Sequence, residues 1–357
     1  MFEDLGFETL TAPQAAVWLG LILGLAFGVL AQITRFCFRS AILSSESRQK
    51  AAAIWVLALA TAFAGTQVAV SQGLISFADH RFFQADLPWL AIIAGGVMFG
   101  AGMVLTRGCA SRLTVLAASG NLRALLMILV FGLVAHSTLK GVLAPVRTTL
   151  GQVTLPYGDL ALPGSGLLWA LPIAALAIAL TLRARLSPAL IVASLALGLL
   201  VPLGWVGTGY ILFDDFDPVA MESLSFTSPA ANSVFYAVAS TAIVPSFGVT
   251  LIAGTLIGAL LSSLIRREFV WQSFEGPAQT GRYLAGASLM GVGGVLAGGC
   301  TVGAGLAGLP TLSIAAGLAL ASIAAGGLAA ARITAPVSAS RAGSAGSSTT
   351  PAAQQAA

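Results

Sequence analysis

The feature that most constrains the fold is a series of apolar stretches, each about 20 residues long, recurring along nearly the whole chain. A helix of that length spans the roughly 30 Å hydrocarbon layer of a membrane. Only 8% of the 357 residues are charged, against about a quarter in an average soluble domain. The sequence therefore predicts an all-α integral membrane protein with about nine transmembrane helices and short re-entrant segments. The predicted spans lie near 15–34, 51–72, 88–106, 123–139, 165–182, 188–206, 249–265, 283–299 and 311–331.

Basic residues between the apolar stretches predict the orientation of the helices. Arginines and lysines are concentrated at 35–50 and 107–123, which the positive-inside rule places in the cytoplasm, so the amino terminus is expected outside. The proline-interrupted stretch 226–247 is predicted to enter and return on one side, because a full crossing would put Arg266 and Arg267 outside. We therefore expect a multi-pass protein of a bacterial-type inner membrane with a cytoplasmic carboxyl terminus.

Three cysteines, Cys37, Cys109 and Cys300, are widely separated and odd in number, so a disulfide framework cannot use them all. Neither histidine, His80 or His136, stands at the short spacing from a cysteine that common structural zinc sites use. We expect no metal site and no cofactor. The net charge of +4 is small and the basic residues lie mostly between apolar stretches, so no nucleic-acid partner is expected; the surrounding partner is the lipid bilayer.

Two segments of the chain resemble one another. Residues 95–109 and 286–300 match at seven of fifteen positions without a gap, and both end in Gly-Cys. An odd number of predicted crossings separates them, so the two copies have opposite orientations in the membrane. Inverted repeats of this kind are typical of secondary transporters, whose broken helices meet near the midplane. The segments after Cys109 and Cys300 are thus predicted to dip inward from opposite faces, with Cys37 on a third such segment.

The inverted repeat predicts the organisation of the chain. The first membrane repeat covers 1–164, a connecting transmembrane helix covers 165–187, and the second, inverted repeat covers 188–332. In the second repeat, the segment that corresponds to the Cys37 segment begins near Phe226 and has no cysteine. Residues 333–357 are rich in Ser, Ala, Gly and Pro and are expected to form a disordered tail, because so little apolar surface cannot offset the entropy of folding.

The cysteine segments together resemble the YeeE/YedE family of membrane proteins, whose characterised members take up thiosulfate. The resemblance rests on RFCFRSA, RGCASRLTVLAASGNLRALL and GGCTVGAGLAG, which begin at residues 35, 107 and 298. It implies an hourglass-like bundle with internal pseudo-symmetry and cysteines along a narrow central path. Cys37, Cys109 and Cys300 would then contact the passing anion. The resemblance also implies a cytoplasmic sulfur-carrier protein of the TusA type as a partner.

Further residues are predicted beside this path. Backbone N–H groups after Gly108 and Gly299 would add positive potential at the starts of half-helices, and Thr301 adjoins Cys300. Arg107, which stands where the second copy has Gly298, would either hold or select the anion or anchor the inner face of the membrane. Four more side chains are of interest. Arg112 either attracts anions or anchors the inner face of the membrane, and Gln32 either reaches the path or forms a hydrogen bond to a neighbouring helix. Asn121, with Arg123, is predicted to cap the next helix.

The sequence thus predicts a permease for thiosulfate, or for a closely related sulfur-containing anion, that uses neutral thiols as shallow binding sites and catalyses no reaction. A neutral thiol is a weak hydrogen-bond donor that a soft sulfur anion can accept, whereas a thiolate would repel the anion. Three alternatives stay open. They are a transporter of soft metals or selenium species, a membrane enzyme that transfers sulfur through a cysteine persulfide, and a noncatalytic membrane subunit.

Overall fold

The computed structural model describes residues 11–43, 47–78, 80, 83, 86–156, 166–214, 217–274 and 276–334. Within these ranges the chain is almost entirely helical, which confirms the predicted all-α class. A single pair of two-residue strands, β1 (Asp86–Leu87) and β2 (Leu155–Pro156), is antiparallel. The α-helices are α1 (Ala12–Thr34), α2 (Phe38–Leu43), α3 (Arg48–Ser71), α4 (Trp89–Leu105), α5 (Ala110–Ala118), α6 (Leu122–Lys140), α7 (Ala144–Gly151), α8 (Gly166–Ala184), α9 (Pro188–Val206), α10 (Thr227–Ala239), α11 (Phe247–Ile265), α12 (Pro277–Leu296) and α13 (Ile314–Thr334).

Eight of these helices, α1, α3, α4, α6, α9, α11, α12 and α13, are long and apolar enough to cross a membrane. The chain is therefore a multi-pass membrane protein. A further helix, α8, is also apolar, over the shorter stretch Leu168–Ala184. Each of the nine coincides with a predicted span to within a few residues, although the number that cross the membrane stays a prediction.

Local capping explains where two of the helices begin. At the start of α1, the backbone N–H of Thr11 donates a 3.3 Å hydrogen bond to Oε1 of Gln14, which is one of the two bonds of a capping box. At the start of α6, the side-chain oxygen of Asn121 accepts a 2.9 Å hydrogen bond from the backbone N–H of Ala124. This bond satisfies one of the donors that a helix leaves unpaired at its first turn. It confirms the capping role predicted for Asn121.

Helices α1 and α11 pack closely and run in the same direction. Gly20 lies against the carbonyl of Phe247, and Gly28, two turns later, lies against the carbonyl of Thr255. Backbones can approach this closely only where no side chain intervenes, which is why small residues line helix contacts in membranes. The parallel direction is the one that the re-entrant interpretation of 226–247 requires, because a full crossing there would have reversed α11.

The two helices of the sequence repeat, α4 and α12, pack against each other in opposite directions. Gly95 of α4 lies against Gly293 of α12, whereas Gly102, further along α4, lies against Gly286, which comes before Gly293 in α12. The repeated glycines thus face one another across a single contact. An antiparallel contact between two matching segments is the arrangement expected of inverted copies related by an axis in the membrane plane.

Of the short helical segments that separate the long helices, four lie closest to the predicted inward-dipping positions. They are α2, α5, α10 and the wide helical turn Thr301–Gly308 that follows α12. Even the longest, α10, has 13 residues, which extend about 20 Å, less than the hydrocarbon layer. These segments lie at or next to the positions predicted to dip inward. Three of the four directly follow a cysteine.

Buried aromatic rings join the first break to the second half of the chain. The ring of Phe27 lies 6.2 Å from that of Phe36 and 5.0 Å from that of Phe226, measured between centroids. Phe36 precedes Cys37, and Phe226 precedes α10. The start of α10 is therefore held in the same core as the Cys37 segment. At the carboxyl end, α13 continues to Thr334, and the rest of the tail predicted over 333–357 lies outside the described residues.

Candidate functional site

All three cysteines occupy the same local backbone setting. Each lies two residues after a residue of left-handed conformation, and each immediately precedes a short helical segment. The left-handed residues are Arg35, Arg107 and Gly298, with φ of 53°, 59° and 73°. Arg107 in the first copy and Gly298 in the second occupy matching positions. Both have this conformation, although it favours glycine, so the two copies differ there in side chain and not in backbone. The common geometry sets each sulfur at the amino-terminal end of a helix.

The fold brings two of the cysteines into contact. The Sγ atom of Cys109 lies 3.9 Å from that of Cys37, although 72 residues separate them in sequence, and 3.4 Å from the hydroxyl of Ser111. Both thiols are free, and both side chains are buried, with 5% of Cys37 and 0% of Cys109 exposed. The two thiols therefore form a pair rather than two separate sites, which the sequence did not predict.

Cys300 lies at the start of the turn Thr301–Gly308 and is fully buried. Its Sγ accepts a 3.4 Å hydrogen bond from the backbone N–H of Gly303. The thiol thus takes the place of the side-chain oxygen that usually caps a helix. Gly299 and Thr301 on either side of it are also buried, and all three cysteines belong to one continuous buried core.

The arginines near the Cys37–Cys109 pair differ in how deeply they are buried. Arg107, predicted to hold or select the anion, is exposed in this structure, while Gly108 beside it is buried. Arg112, one turn after Cys109, lies within electrostatic range of both thiols. Its Nη1 atom is buried and has no hydrogen-bond partner among the described residues, and the same holds for Nε of Arg39. Arg112 is therefore the better placed of the two arginines predicted beside Cys109, and Arg39 was missed.

Gln32 lies between helices. Its side-chain nitrogen donates to Oε2 of Glu268 at 3.1 Å, and its oxygen accepts from the hydroxyl of Ser119 at 3.4 Å. This is the interhelical hydrogen bond that was the second reading of Gln32. Glu268 also pairs with Arg266 at 3.1 Å, and this partner, ahead of Gln32, holds the pKa of the Glu268 carboxyl below its usual range.

A cavity of about 530 Å³ lies close to Cys300. Its lining includes Ser225, Ser228 and Gly303, and also Glu222. Gly303 is the residue whose N–H bonds to Cys300. A single residue, Gly303, therefore both lines the cavity and contacts the thiol of Cys300. The cavity is formed by segments far apart in sequence, so no local pattern marked it.

Metal ligands are not gathered at these breaks. Over the ranges that the structure describes, no group of three or more His, Cys, Asp and Glu side chains is close enough to hold a metal ion. The thiol pair has two buried sulfurs and a neighbouring cation instead. This combination suits a soft anion better than a metal ion that needs three or more coordinating side chains.

The amino-acid sequence matches the family described as "Sulphur transport" over residues 33–329, a range that includes all three cysteines. The chain belongs to the sulphur transport family. The resemblance to YeeE/YedE proteins is thereby confirmed. The match runs from the end of α1 into α13, so the family relation concerns most of the membrane domain and not a single motif.

Two relatives of known name are similar to most of this sulphur transport protein. The thiosulfate transporter TsuA of Escherichia coli (strain K12) is 27% identical over 318 residues, which cover 80% of this chain and 86% of the relative. The thiosulfate transporter TsuA of Spirochaeta thermophila is 28% identical over 345 residues, which cover 85% of this chain and 94% of the relative. Both names are those of transporters.

Proposed function

We propose that this protein is a permease that carries thiosulfate across the inner membrane past Cys37, Cys109 and Cys300, without catalysing a reaction. The observation that carries the proposal is the shared setting of the three buried thiols, each at the amino-terminal end of a short helix. Membership of the sulphur transport family and the names of the two relatives support the substrate class.

The physical argument begins with the cost of moving a dianion through hydrocarbon. A path must replace part of the water around the anion and still release it, so several weak sites serve better than one strong ion pair. The amino-terminal ends of the short helices offer partial positive charge without a formal cation. Neutral thiols add weak donors that suit the soft terminal sulfur of thiosulfate.

The proposed path runs from the 530 Å³ cavity to Cys300 and then to the Cys109–Cys37 pair. Arg112 supplies a cation beside the pair, while its exposed neighbour Arg107 attracts anions at the inner mouth. Gly108, Gly299 and Thr301 contribute backbone N–H groups next to the sulfurs. Gln32 acts on the path indirectly, through its bonds to Glu268 and Ser119.

Two inverted halves, 1–164 and 188–332, joined by a connecting helix over 165–187, form the proposed hourglass. The antiparallel contact of α4 with α12 and the parallel contact of α1 with α11 support this organisation. The same directions support nine crossings, and the basic residues at 35–50 and 107–123 support an outer amino terminus and a cytoplasmic carboxyl terminus. On the cytoplasmic side we propose a TusA-like sulfur-carrier protein as a functional partner, for which the family resemblance is the support.

Uptake of ³⁵S-thiosulfate tests the proposal in bacterial cells that lack their own sulfate and thiosulfate importers. Cells that make this protein should accumulate label, and Cys37→Ala, Cys109→Ala and Cys300→Ala should each reduce uptake at equal protein level. Ser233→Ala, which removes a hydroxyl already bonded to the carbonyl of Pro229, is a matched control. Normal uptake by all three cysteine variants would contradict the thiol path.

A second candidate function is transport of a soft metal such as Cu(I), which the 3.9 Å separation of the Cys37 and Cys109 sulfurs favours. It predicts metal retained by the purified protein and no uptake of thiosulfate. A persulfide-forming enzyme is the third possibility. Mass spectrometry of the intact protein after exposure to thiosulfate distinguishes it, because the permease predicts no added sulfur on any cysteine.

A further inference from the structure

The start of α10 is the one break among the four short segments that carries no cysteine, and it carries hydroxyl groups instead. Ser225, Thr227 and Ser228 lie within four residues there. The residue at the helix-capping position is Phe226, whose side chain accepts no hydrogen bond from the first turn. The first N–H groups of this 13-residue helix are therefore left without a side-chain acceptor, and their partial positive charge is available to an anion.

The hydroxyl of Thr227 is buried and unpartnered. Only 2% of the side chain is exposed, and Oγ1 has no hydrogen-bond partner within the described ranges. Buried threonines in helices usually donate to the carbonyl four residues earlier, as Thr255 does to Leu251 at 2.7 Å. Thr227 is the first residue of its helix and has no such carbonyl. A buried hydroxyl without a partner is costly, which points to a ligand as its missing acceptor.

The other two hydroxyls face the cavity next to Cys300. Ser225 and Ser228 both line it together with Gly303, and neither side chain makes a hydrogen bond to another described residue. The hydroxyl of Ser225 lies so close to Gly303 that a Cβ there would stand 2.7 Å from it. The N–H of the same glycine bonds to the sulfur of Cys300. Hydroxyls and thiol therefore meet on opposite sides of one backbone residue.

We propose that the segment 225–228 is an oxyanion-binding site that holds the sulfonate oxygens of thiosulfate while Cys300 faces its terminal sulfur. This inference rests on the proposed function. Hydroxyls and helix N–H groups are strong donors and match the charged oxygens of the anion, whereas the thiol matches the larger, softer sulfur. The two ends of the substrate are thereby recognised by two different chemistries, which the three cysteines alone do not provide.

Transport kinetics of the full chain test the site. Thr227→Val keeps the shape of the side chain and removes only the hydroxyl, and the double variant Ser225→Ala/Ser228→Ala removes the two cavity hydroxyls. We expect either change to raise the half-saturating thiosulfate concentration about tenfold or more, since a hydrogen bond to a charged group is lost. Thr227→Ser should retain the wild-type value to within about threefold, because it keeps the donor.

Two variants control for the loss of a buried hydroxyl as such. Ser233→Ala lies further along α10, and Thr255→Val lies in α11; both hydroxyls are already bonded to backbone carbonyls of their own helices. Neither change should alter the half-saturating concentration. Size-exclusion profiles of the purified variants check folding, and the Ser225→Ala/Ser228→Ala variant decides the question if Thr227→Val does not fold.

The result that would overturn the site is a wild-type half-saturating concentration in every folded variant that lacks these hydroxyls, while the unmodified protein transports thiosulfate. That outcome leaves the permease intact. A protein that takes up no thiosulfate before any substitution contradicts the proposed function itself. The two failures are therefore distinguishable in one set of measurements.

Discussion

The break at Cys109 and the break at Cys300 have the same backbone but different surroundings. Both follow a left-handed residue and begin a short helical segment. Around Cys109 lie a second thiol at 3.9 Å and the cation of Arg112. Around Cys300 lie a backbone N–H, a cavity and the hydroxyls of segment 225–228. The same backbone arrangement, at the ends of two antiparallel helices, therefore carries two different sets of neighbouring groups, which our proposal matches to the two different ends of thiosulfate.

The paired thiols at the first break should make it the more vulnerable to a reagent that bridges two sulfurs. A trivalent aryl arsenical, which forms an As–S bond to each of two neighbouring thiols with release of water, should abolish uptake by the wild-type protein. Cys37→Ala should remove the second sulfur and with it most of the sensitivity of whatever uptake remains. Cys300→Ala should leave the sensitivity unchanged. Inhibition that depended on Cys300 instead would contradict the pairing.

Neutralising the buried cation should have the next largest effect. Arg112→Gln removes a charge beside the thiol pair, and we expect uptake at low thiosulfate concentration to fall about tenfold. Arg107→Gln should have a smaller effect, a fall of no more than about twofold, because its side chain is exposed at the inner mouth and an exposed charge contributes little. The reverse ranking of the two variants would show that the exposed arginine, as predicted from the sequence, selects the anion.

The common backbone of the two breaks predicts opposite changes in stability when their left-handed residues are exchanged. Gly298→Arg should cost about 1 kcal/mol, because a side chain is strained in that conformation. The strain acts alone, since a Cβ at Gly298 would meet no atom within 4 Å. Arg107→Gly should stabilise the protein by a similar amount. Thermal unfolding of the purified variants measures both. Equal midpoints in all three proteins would deny that the conformation is costly at either break.

The smallest effect is expected at the rim of the first break, where Glu268 pairs with Arg266 and accepts from Gln32. Because its pKa is lowered on folding, the ion pair stabilises the protein above the usual pKa of a carboxyl group and the contribution is lost as the pH falls through the lowered value. Glu268→Gln should thus reduce the unfolding midpoint slightly at neutral pH and not in acid. Arg266→Gln should behave alike; a difference that persists in acid would assign the effect to packing.

Much of the fold could be predicted from the sequence, because hydrocarbon imposes a simple rule on length and polarity. The nine apolar stretches coincide with α1, α3, α4, α6, α8, α9, α11, α12 and α13. The Asn121 cap could be predicted because it is a local bond between residues three apart. The glycine-rich repeat at 95–109 and 286–300 likewise marked two helices that lie in contact.

The arrangement around the sulfurs could not be predicted in the same way. The contact between Cys37 and Cys109 depends on how α1 and α4 are placed by other helices, and no spacing in the sequence encodes it. Gln32 has one short amide that can bond to a neighbour or face the path, and only the position of Glu268 decides between them. The run 225–228 reads as an ordinary polar break until the cavity and the unpaired hydroxyl of Thr227 are seen.

Site-by-site alkylation of the three thiols tests the central claim most directly. Purified protein in lipid nanodiscs would be treated with a small maleimide in the presence of thiosulfate or of chloride at equal ionic strength, and the modification of each cysteine followed by mass spectrometry. The account predicts that thiosulfate slows alkylation at Cys37, Cys109 and Cys300 alike. Unchanged alkylation rates at all three positions, in a preparation that transports thiosulfate, would contradict it.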